Sequence, residues 1–478
     1  MPSYSQVSER LGRVGQLHLL RFYNELTSSG QNALLAQIDS LDLESLPELV
    51  RQHIKNKPPV GLPSDLGPAP YFPNDPTTAG RAWDRAGMQR VGEDLLRQGK
   101  VAAFVVAGGQ GSRLGFDGPK GCFPTTPING KSLFNLFAEH ILGAKERYGV
   151  HIPWYIMTSP LNHEATVSFF EQNQFFGLSP EDLMFFPQGV CPSFDIKTGQ
   201  VLLASKGEVA TNPDGHGGSI KALAVSGALD DMRKRGVQHI SYFQVDNPSV
   251  RALDPIFLGL HAAGVGSSGE MSSKMIKKAG PDEKVGVFCL GNGKVQVIEY
   301  SDLPSEFQHQ RLEDGTLRFI AGSIAIHTMS VDFVDRLAND PAFALPYHRA
   351  EKKIPCVDLA TGEVVAPKEN NGVKLERFVF DALPLCRESI VFETDRVEEF
   401  APIKNATGVD SIQTSTQLQT LRSARWLEAA GVKVPRKPDG SPDCVLEVSP
   451  RTATSADELN TARDKLPREV RRGERLAL

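Results

Sequence analysis

Cysteine is scarce in this chain and scattered. The six cysteines, at 122, 191, 289, 356, 386 and 444, form no C-x-x-C pair, which argues against a zinc site and against a secreted disulfide framework. No apolar run reaches transmembrane length and the N-terminus carries no signal-peptide core, so the protein is expected in the cytoplasm, away from any membrane. Charge of one sign is also missing: 52 Lys and Arg against 57 Asp and Glu leave a formal net charge of −5. No basic field is there to recruit nucleic acid. No catalytic triad, histidine cluster, internal repeat or low-complexity tract stands out. What is present, 478 residues with 40% hydrophobic and 23% charged side chains, suits a globular protein of one large domain with appendages, or of two or three domains.

The most informative stretch is Val101 to Pro124, VAAFVVAGGQGSRLGFDGPKGCFP. Val101 to Ala107 is an apolar run of strand length stopped by Gly108, Gly109 and Gly111, the mark of a buried parallel strand feeding a loop. Bare amides there would form an anion-binding nest, and Arg113 and Lys120 add two positive charges nearby, so the simplest ligand is a polyphosphate. A cation about 4 Å from a phosphate oxygen gains about 4 kcal/mol at an effective dielectric near 20, which outweighs a small overall negative charge. The plainer reading is a glycine-rich turn with two solvated basic residues. The Walker pattern fails, because Ser112 and Arg113 follow the last glycine, and the dinucleotide fingerprint fails at Leu114.

The rest of the chain divides by pattern. Residues 1–98 read as a helical segment, with Leu11, Val14, Leu17 and then Leu34, Leu35, Ile38 near helical spacing. A Pro-rich connector follows from Lys57 to Pro76, and the segment as a whole is expected to be a packing layer on the catalytic domain. From 99 to 436 strand and helix patterns alternate. Strands are expected at Trp154–Thr158, Met184–Pro187, His239–Val245, Ser272–Lys277, Val285–Leu290 and Val295–Tyr300, with helices including Asn162–Gln174, Gly218–Arg235 and Pro255–Ala263. That alternation predicts a doubly wound α/β sheet with ligands at the carboxyl ends of its strands. A small C-terminal segment, 437–478, ends in the charged run Arg468–Arg475, expected as an exposed helix or frayed end.

Four further strings fall after expected strands or at helix starts. Phe185 to Gly189 offers Gln188, whose amide could read a base edge. Pro213 to Gly218 (PDGHGG) opens a helix with free amides at its positive end. Phe243 to Asn247 sets Asp246 at a strand tip, where it could hold Mg²⁺ or simply cap the next turn. Phe400 to Asn405 places Lys404 in a turn. Taken singly, each also reads as an ordinary turn.

Taken together, G-G-x-G-S-R-L-G, then PKG and FP, and these four strings in this order resemble the eukaryotic-type UDP-N-acetylglucosamine pyrophosphorylases and their UDP-sugar pyrophosphorylase relatives, from about Ala82 to Gly431. The resemblance implies a Rossmann-like nucleotide-diphospho-sugar transferase fold with a doubly wound mixed sheet. It also implies uridylyl transfer from UTP to a hexose 1-phosphate, most readily N-acetylglucosamine 1-phosphate, with Mg²⁺ as cofactor, by a monomer or weak homodimer. Carried over, Gly108, Gly109, Gln188 and Gly215 would hold the uridine, with Gly111, Arg113 and Lys120 around the triphosphate and Asp246 on Mg²⁺. Gly286, Glu299, Lys374 and Lys404 would meet the sugar phosphate. The family's Thr before the Arg is Ser112 here, the Asn of its D-G-N-G-G is His216, and a sugar-contacting Asn is Ser323. The last two changes fall on the sugar side, so a UTP:glucose-1-phosphate uridylyltransferase is the first alternative and a non-catalytic UDP-sugar-binding protein the second.

Overall fold

The computed structural model describes residues 2–56 and 61–478. Part of the expected connector, Lys57–Val60, lies outside the described residues. The chain packs into two compact units that do not follow the expected boundaries at 98/99 and 436/437. One comprises Met1–Leu62, Gln188–Lys221 and Ala344–Asp381; the other comprises Pro63–Pro187, Ala222–Phe343 and Ala382–Leu478.

The larger unit is built on a ten-stranded mixed sheet. Its principal strands are β1 Val101–Val106, β2 Trp154–Thr158, β3 Leu183–Pro187, β4 His239–Gln244, β5 Met271–Lys277, β6 Val287–Gly291, β7 Lys294–Ile298, β8 Ala321–Ser330 and β9 Val391–Glu393. Its helices include α1 Arg85–Arg97, α2 Leu133–Tyr148, α3 His163–Gln172, α5 Pro255–Ala263 and α6 Ile412–Ala429; α4, Gly218–Val225, begins in the smaller unit. β1 to β4 are mutually parallel in the order β3-β2-β1-β4. From β1 the chain winds outward through β2 and β3, then returns to β4 on the other side of β1. That reversal is a topological switch point, the place where open α/β sheets bind ligands at the carboxyl ends of their strands, here β1 and β4.

Burial explains the run that begins at Val101. Val101 to Val105 are each at most 1% exposed, as expected of a parallel strand covered on both faces. One cover is α2, whose Leu133, Phe134, Phe137 and Ile141 join Trp154, Ile156 and Phe170 in the core. β8 runs antiparallel to β4, pairing His239 with Ser330 and Tyr242 with His327. The start of β8 therefore lies at the edge where β4 ends.

Two expectations are corrected here. The helix expected over Gly218–Arg235 breaks at Gly227, which sits in the left-handed region (φ 80°), into α4 and Ala228–Lys234. The tail is neither an exposed helix nor frayed: Arg475–Ala477 pairs in parallel with Val445–Glu447. Leu446, Val448, Leu459 and Val470 then share a core with Trp426 and Leu427 of α6.

In the smaller unit the N-terminal helices are core rather than a covering layer. Leu11 of Tyr4–Arg13 and Leu34, Leu35 and Ile38 of Ser28–Asp39 pack with Phe194, Val201, Val209, Val373 and Leu375. Gln37 acts as a one-residue strand partner, accepting from the Val209 N–H (2.8 Å) and donating to its carbonyl (3.2 Å). The three-stranded antiparallel sheet here orders His348–Lys352, Gly372–Glu376 and Phe194–Asp195. All six cysteines are free thiols, and no helix among the described residues is long and apolar enough to cross a membrane.

Candidate functional site

In the larger unit, the loop leaving β1 folds back on itself. The Gly111 N–H donates to the Gly118 carbonyl (2.9 Å), Phe116 N–H to Gly111 (3.2 Å) and Lys120 N–H to Gly109 (3.0 Å). Gly111, expected beside the triphosphate, is thus bound into its own loop. Its N–H is used within the loop, and a Cβ there would come 2.7 Å from the Phe116 ring. Gly109 is different: it is exposed, and a Cβ would meet nothing within 4 Å. Asn162, at the start of α3, braces this turn by donating to the Ala107 (3.1 Å) and Gly109 (3.3 Å) carbonyls. Among the described residues, neither the exposed Arg113 nor the half-buried Lys120 has a carboxylate within ion-pair reach. Two cations left uncompensated beside an open backbone could together receive an anion.

Across the switch point, Asp246 follows β4. Its carbonyl accepts from the Ile403 N–H (2.8 Å), while the buried side chain of Asn247 donates to the Glu399 carbonyl (2.7 Å) and accepts from the Ala401 N–H (3.1 Å). This clamp brings the Lys404 turn to the tip of β4. The Lys404 ammonium lies over the Phe400 ring (5.7 Å) and makes a long ion pair with Asp410 (3.7 Å). Among the described residues Asp246 has no cationic partner, and no cluster of three or more His, Cys, Asp or Glu could hold a metal. A single half-buried carboxylate suits a hard cation that takes its other ligands from water and substrate phosphates.

The three sugar-side candidates of this unit also converge. The Ser323 N–H donates to the Gly286 carbonyl (2.8 Å), and a Cβ on Gly286 would lie 3.3 Å from Glu299 Oε1. They sit where β6, β7 and β8 meet, and β8 begins at the sheet edge that carries Asp246.

The remaining four candidates, Gln188, Gly215, His216 and Lys374, belong to the smaller unit. Gln188 is buried and Gly215 is left-handed (φ 86°). The PDGHGG turn lies along the end of Gly372–Glu376: Arg377 N–H donates to the Asp214 carbonyl and Gly217 N–H to the Arg377 carbonyl, both at 2.8 Å. A Cβ on Gly215 would run into that Arg377 carbonyl oxygen, so this glycine is required by packing as well as by φ. His216 stacks on Phe378 (centroids 5.1 Å apart, 17° between planes), and its Nδ1 accepts from the Val379 N–H (3.1 Å). Burial, helped by His348, lowers its pKa to about 4, so it is a neutral ring with its proton on Nε2. Asp214 is pushed up to about 6 by burial, against the pull of Arg377. Lys374 is fixed by register: Val373 and Leu375 are buried on one face of the strand, and Lys374 stands on the other.

Sequence reasoning missed Asn162 and Asn247 as supports. Asn247 stood inside one of the four strings, but an Asn after a strand-end Asp carries no signal for which distant backbone it will hold.

Comparison with known proteins bears on this arrangement. Residues 81–439 match the family described as UTP–glucose-1-phosphate uridylyltransferase. The chain is 36% identical over 490 residues to human UDP-N-acetylhexosamine pyrophosphorylase-like protein 1, covering 96% of this chain and 94% of the relative. It is 33% identical over 467 residues to UDP-N-acetylglucosamine pyrophosphorylase of Saccharomyces cerevisiae, covering 95% and 96%. Among solved structures, the Trypanosoma brucei uridine diphosphate N-acetylglucosamine pyrophosphorylase, in complex with an inhibitor, aligns with a TM-score of 0.84 at 26% identity, covering 100% of this chain and 98% of that one.

Proposed function

We propose, from the premise that this chain belongs to the UTP–glucose-1-phosphate uridylyltransferase family, that it makes UDP-N-acetylglucosamine and pyrophosphate from UTP and N-acetylglucosamine 1-phosphate. The observation that carries the reading is the switch point, with Gly109, Arg113 and Lys120 after β1 and with Asp246 and the clamped Lys404 turn after β4. The names of the two relatives above support the choice of sugar.

In this reaction an oxygen of the sugar phosphate attacks the α-phosphorus of UTP and pyrophosphate leaves. The nucleophile is already an anion, so no general base is needed. The work is in-line positioning and neutralisation of two phosphate groups that repel each other. Arg113 and Lys120 would bind the β- and γ-phosphates and stabilise the leaving pyrophosphate. Lys404 would stand between the attacking phosphate and the α-phosphate, steered by Phe400 and Asp410. Asp246 would hold Mg²⁺, which when bound supplies a divalent charge to the phosphate oxygens. Gly286, Glu299 and Ser323 would meet the sugar, with Glu299 accepting from its hydroxyls.

Ser323 and His216 favour one second reading, the same chemistry on glucose 1-phosphate. Pyrophosphate release from UTP with a panel of sugar 1-phosphates separates the readings. Release with the acetylated sugar is expected, glucose 1-phosphate as the better substrate would favour the second reading, and no release with any sugar would overturn both.

A further inference from the structure

The larger unit buries an ionic cluster around Glu399, the residue whose carbonyl Asn247 holds. Lys274 of β5 is 0% exposed, and its Nζ lies 2.7 Å from Asp254 Oδ2 and 2.6 Å from each oxygen of the Glu399 carboxylate. Thr394 Oγ1 donates to Glu399 Oε1 (2.9 Å), and Arg251 reaches the other oxygen of Asp254 (3.3 Å). The rings of Phe257 and Phe392 close over the ammonium at 5.3 and 6.0 Å. Burial works against ionising Asp254, yet Arg251 and Lys274 hold its carboxyl below the usual range. A buried ion pair is weak evidence of stabilisation, because desolvation consumes much of the Coulomb gain. A cluster of this cost suggests a different return: one fixed geometry.

The geometry in question runs through Glu399. Its carboxylate is held by Lys274 from one side, while its carbonyl accepts from Asn247. The next residues then lie along the tip of β4, Ala401 N–H on Asn247 and Ile403 N–H on Asp246, and deliver Lys404. Glu399 is thus the anchor from which the spacing between Asp246 and Lys404 is measured, and Lys274 is what fixes the anchor. Asp254 ties the same ammonium to the start of α5, where it caps the helix by accepting from the Ile256 N–H (3.1 Å). A cation without hydrogen-bonding reach to both carboxylates could not fix both sides at once.

We propose that Lys274 is a positioning residue for uridylyl transfer: through Glu399 it sets the register of the segment that carries Lys404 against Asp246. The inference rests on the functional reading above, which gives those two residues the cation and the phosphates. Lys274 touches no substrate in this account.

The test compares Lys274→Met, which leaves two buried carboxylates short of a partner, with the double variant Lys274→Met/Glu399→Gln, which removes one charge of each sign. The single variant is expected to lose thermal stability, and the double variant to recover most of it. In the folded double variant turnover should stay about 100-fold below wild type, with KM for both substrates within about threefold, as for loss of a stabiliser aligned only in the transition state. The affinity for Mn²⁺ in the presence of UTP, read by electron paramagnetic resonance, should fall about tenfold. Wild-type turnover and wild-type Mn²⁺ affinity in the double variant would overturn the proposal and leave the cluster a purely structural device. If neither variant folds, Asn247→Ala carries the same question. It removes the clamp without disturbing the ions, and unchanged turnover and Mn²⁺ affinity there would count against the proposal. Absence of pyrophosphate release by the wild-type enzyme would instead sink the functional reading, while Mn²⁺ binding would still judge the positioning.

Discussion

Two glycine-rich turns, nearly alike as strings, are opposites as structures. The turn after β1 leaves Gly109 facing open space, with Arg113 and Lys120 free of any carboxylate partner among the described residues. The PDGHGG turn of the smaller unit is closed: Gly215 and Gly217 lie against the Arg377 backbone, with Cβ atoms excluded by the carbonyl oxygen and carbon of that residue. Glycine has a different cause in each, access for a ligand in one and close approach of the protein's own chain in the other. Gly111 shows the second cause inside the open loop, because its amide and its missing side chain both serve internal packing.

That contrast can be broken experimentally. The largest effect is expected on the open side, where charge and not packing is at stake. Lys404→Ala should lower turnover by about two to three powers of ten while leaving the thermal midpoint nearly unchanged. Turnover near wild type at saturating substrate would remove Lys404 from the reaction. Next comes the pair of glycines. Gly215→Ala should destabilise the protein by about 2–4 kcal/mol, from left-handed strain added to the clash with Arg377. Gly109→Ala should leave stability within about 0.5 kcal/mol and raise KM for UTP. Urea titrations and initial rates on both variants decide it, and equal losses of stability would erase the distinction.

The closed turn should also respond to pH. The Asp214 carboxyl is raised by burial from 3.8 to about 6, so its unfolded form ionises first as pH rises. The stability it contributes is present in full below about pH 4 and is lost as pH rises through about 6. The loss is about 3 kcal/mol at most. Asp214→Asn should flatten that part of the stability profile, and an unchanged difference between pH 4 and pH 7 would contradict the burial argument. The smallest effect is expected at the sugar. Ser323→Asn should move the ratio of kcat/KM for acetylated over plain hexose 1-phosphate by about tenfold towards the acetylated sugar.

The legible part of the molecule is the part that a single strand or turn determines. A continuous apolar run stopped by glycine identified β1, and alternation of strands with helices gave the winding that puts the ends of β1 and β4 together. Partners at long range were not legible. Periodicity in Leu34, Leu35 and Ile38 shows which face of a helix is apolar, but not that it will close on Phe194 and Leu375. Lys274 is a lysine in an otherwise ordinary strand until Asp254 and Glu399, 20 and 125 residues away, arrive at its ammonium. The expected place of His216 beside the sugar rests on a family string alone. Its stacking on Phe378 and bond to Val379 depend on a segment more than 160 residues further on.

A crystal structure of the protein with UTP tests the central claim most directly. The account predicts the triphosphate over the open face of Gly109, with phosphate oxygens within about 4 Å of the Arg113 and Lys120 side chains and the α-phosphate towards Asp246. A nucleotide bound elsewhere, with that face left to solvent, would contradict it.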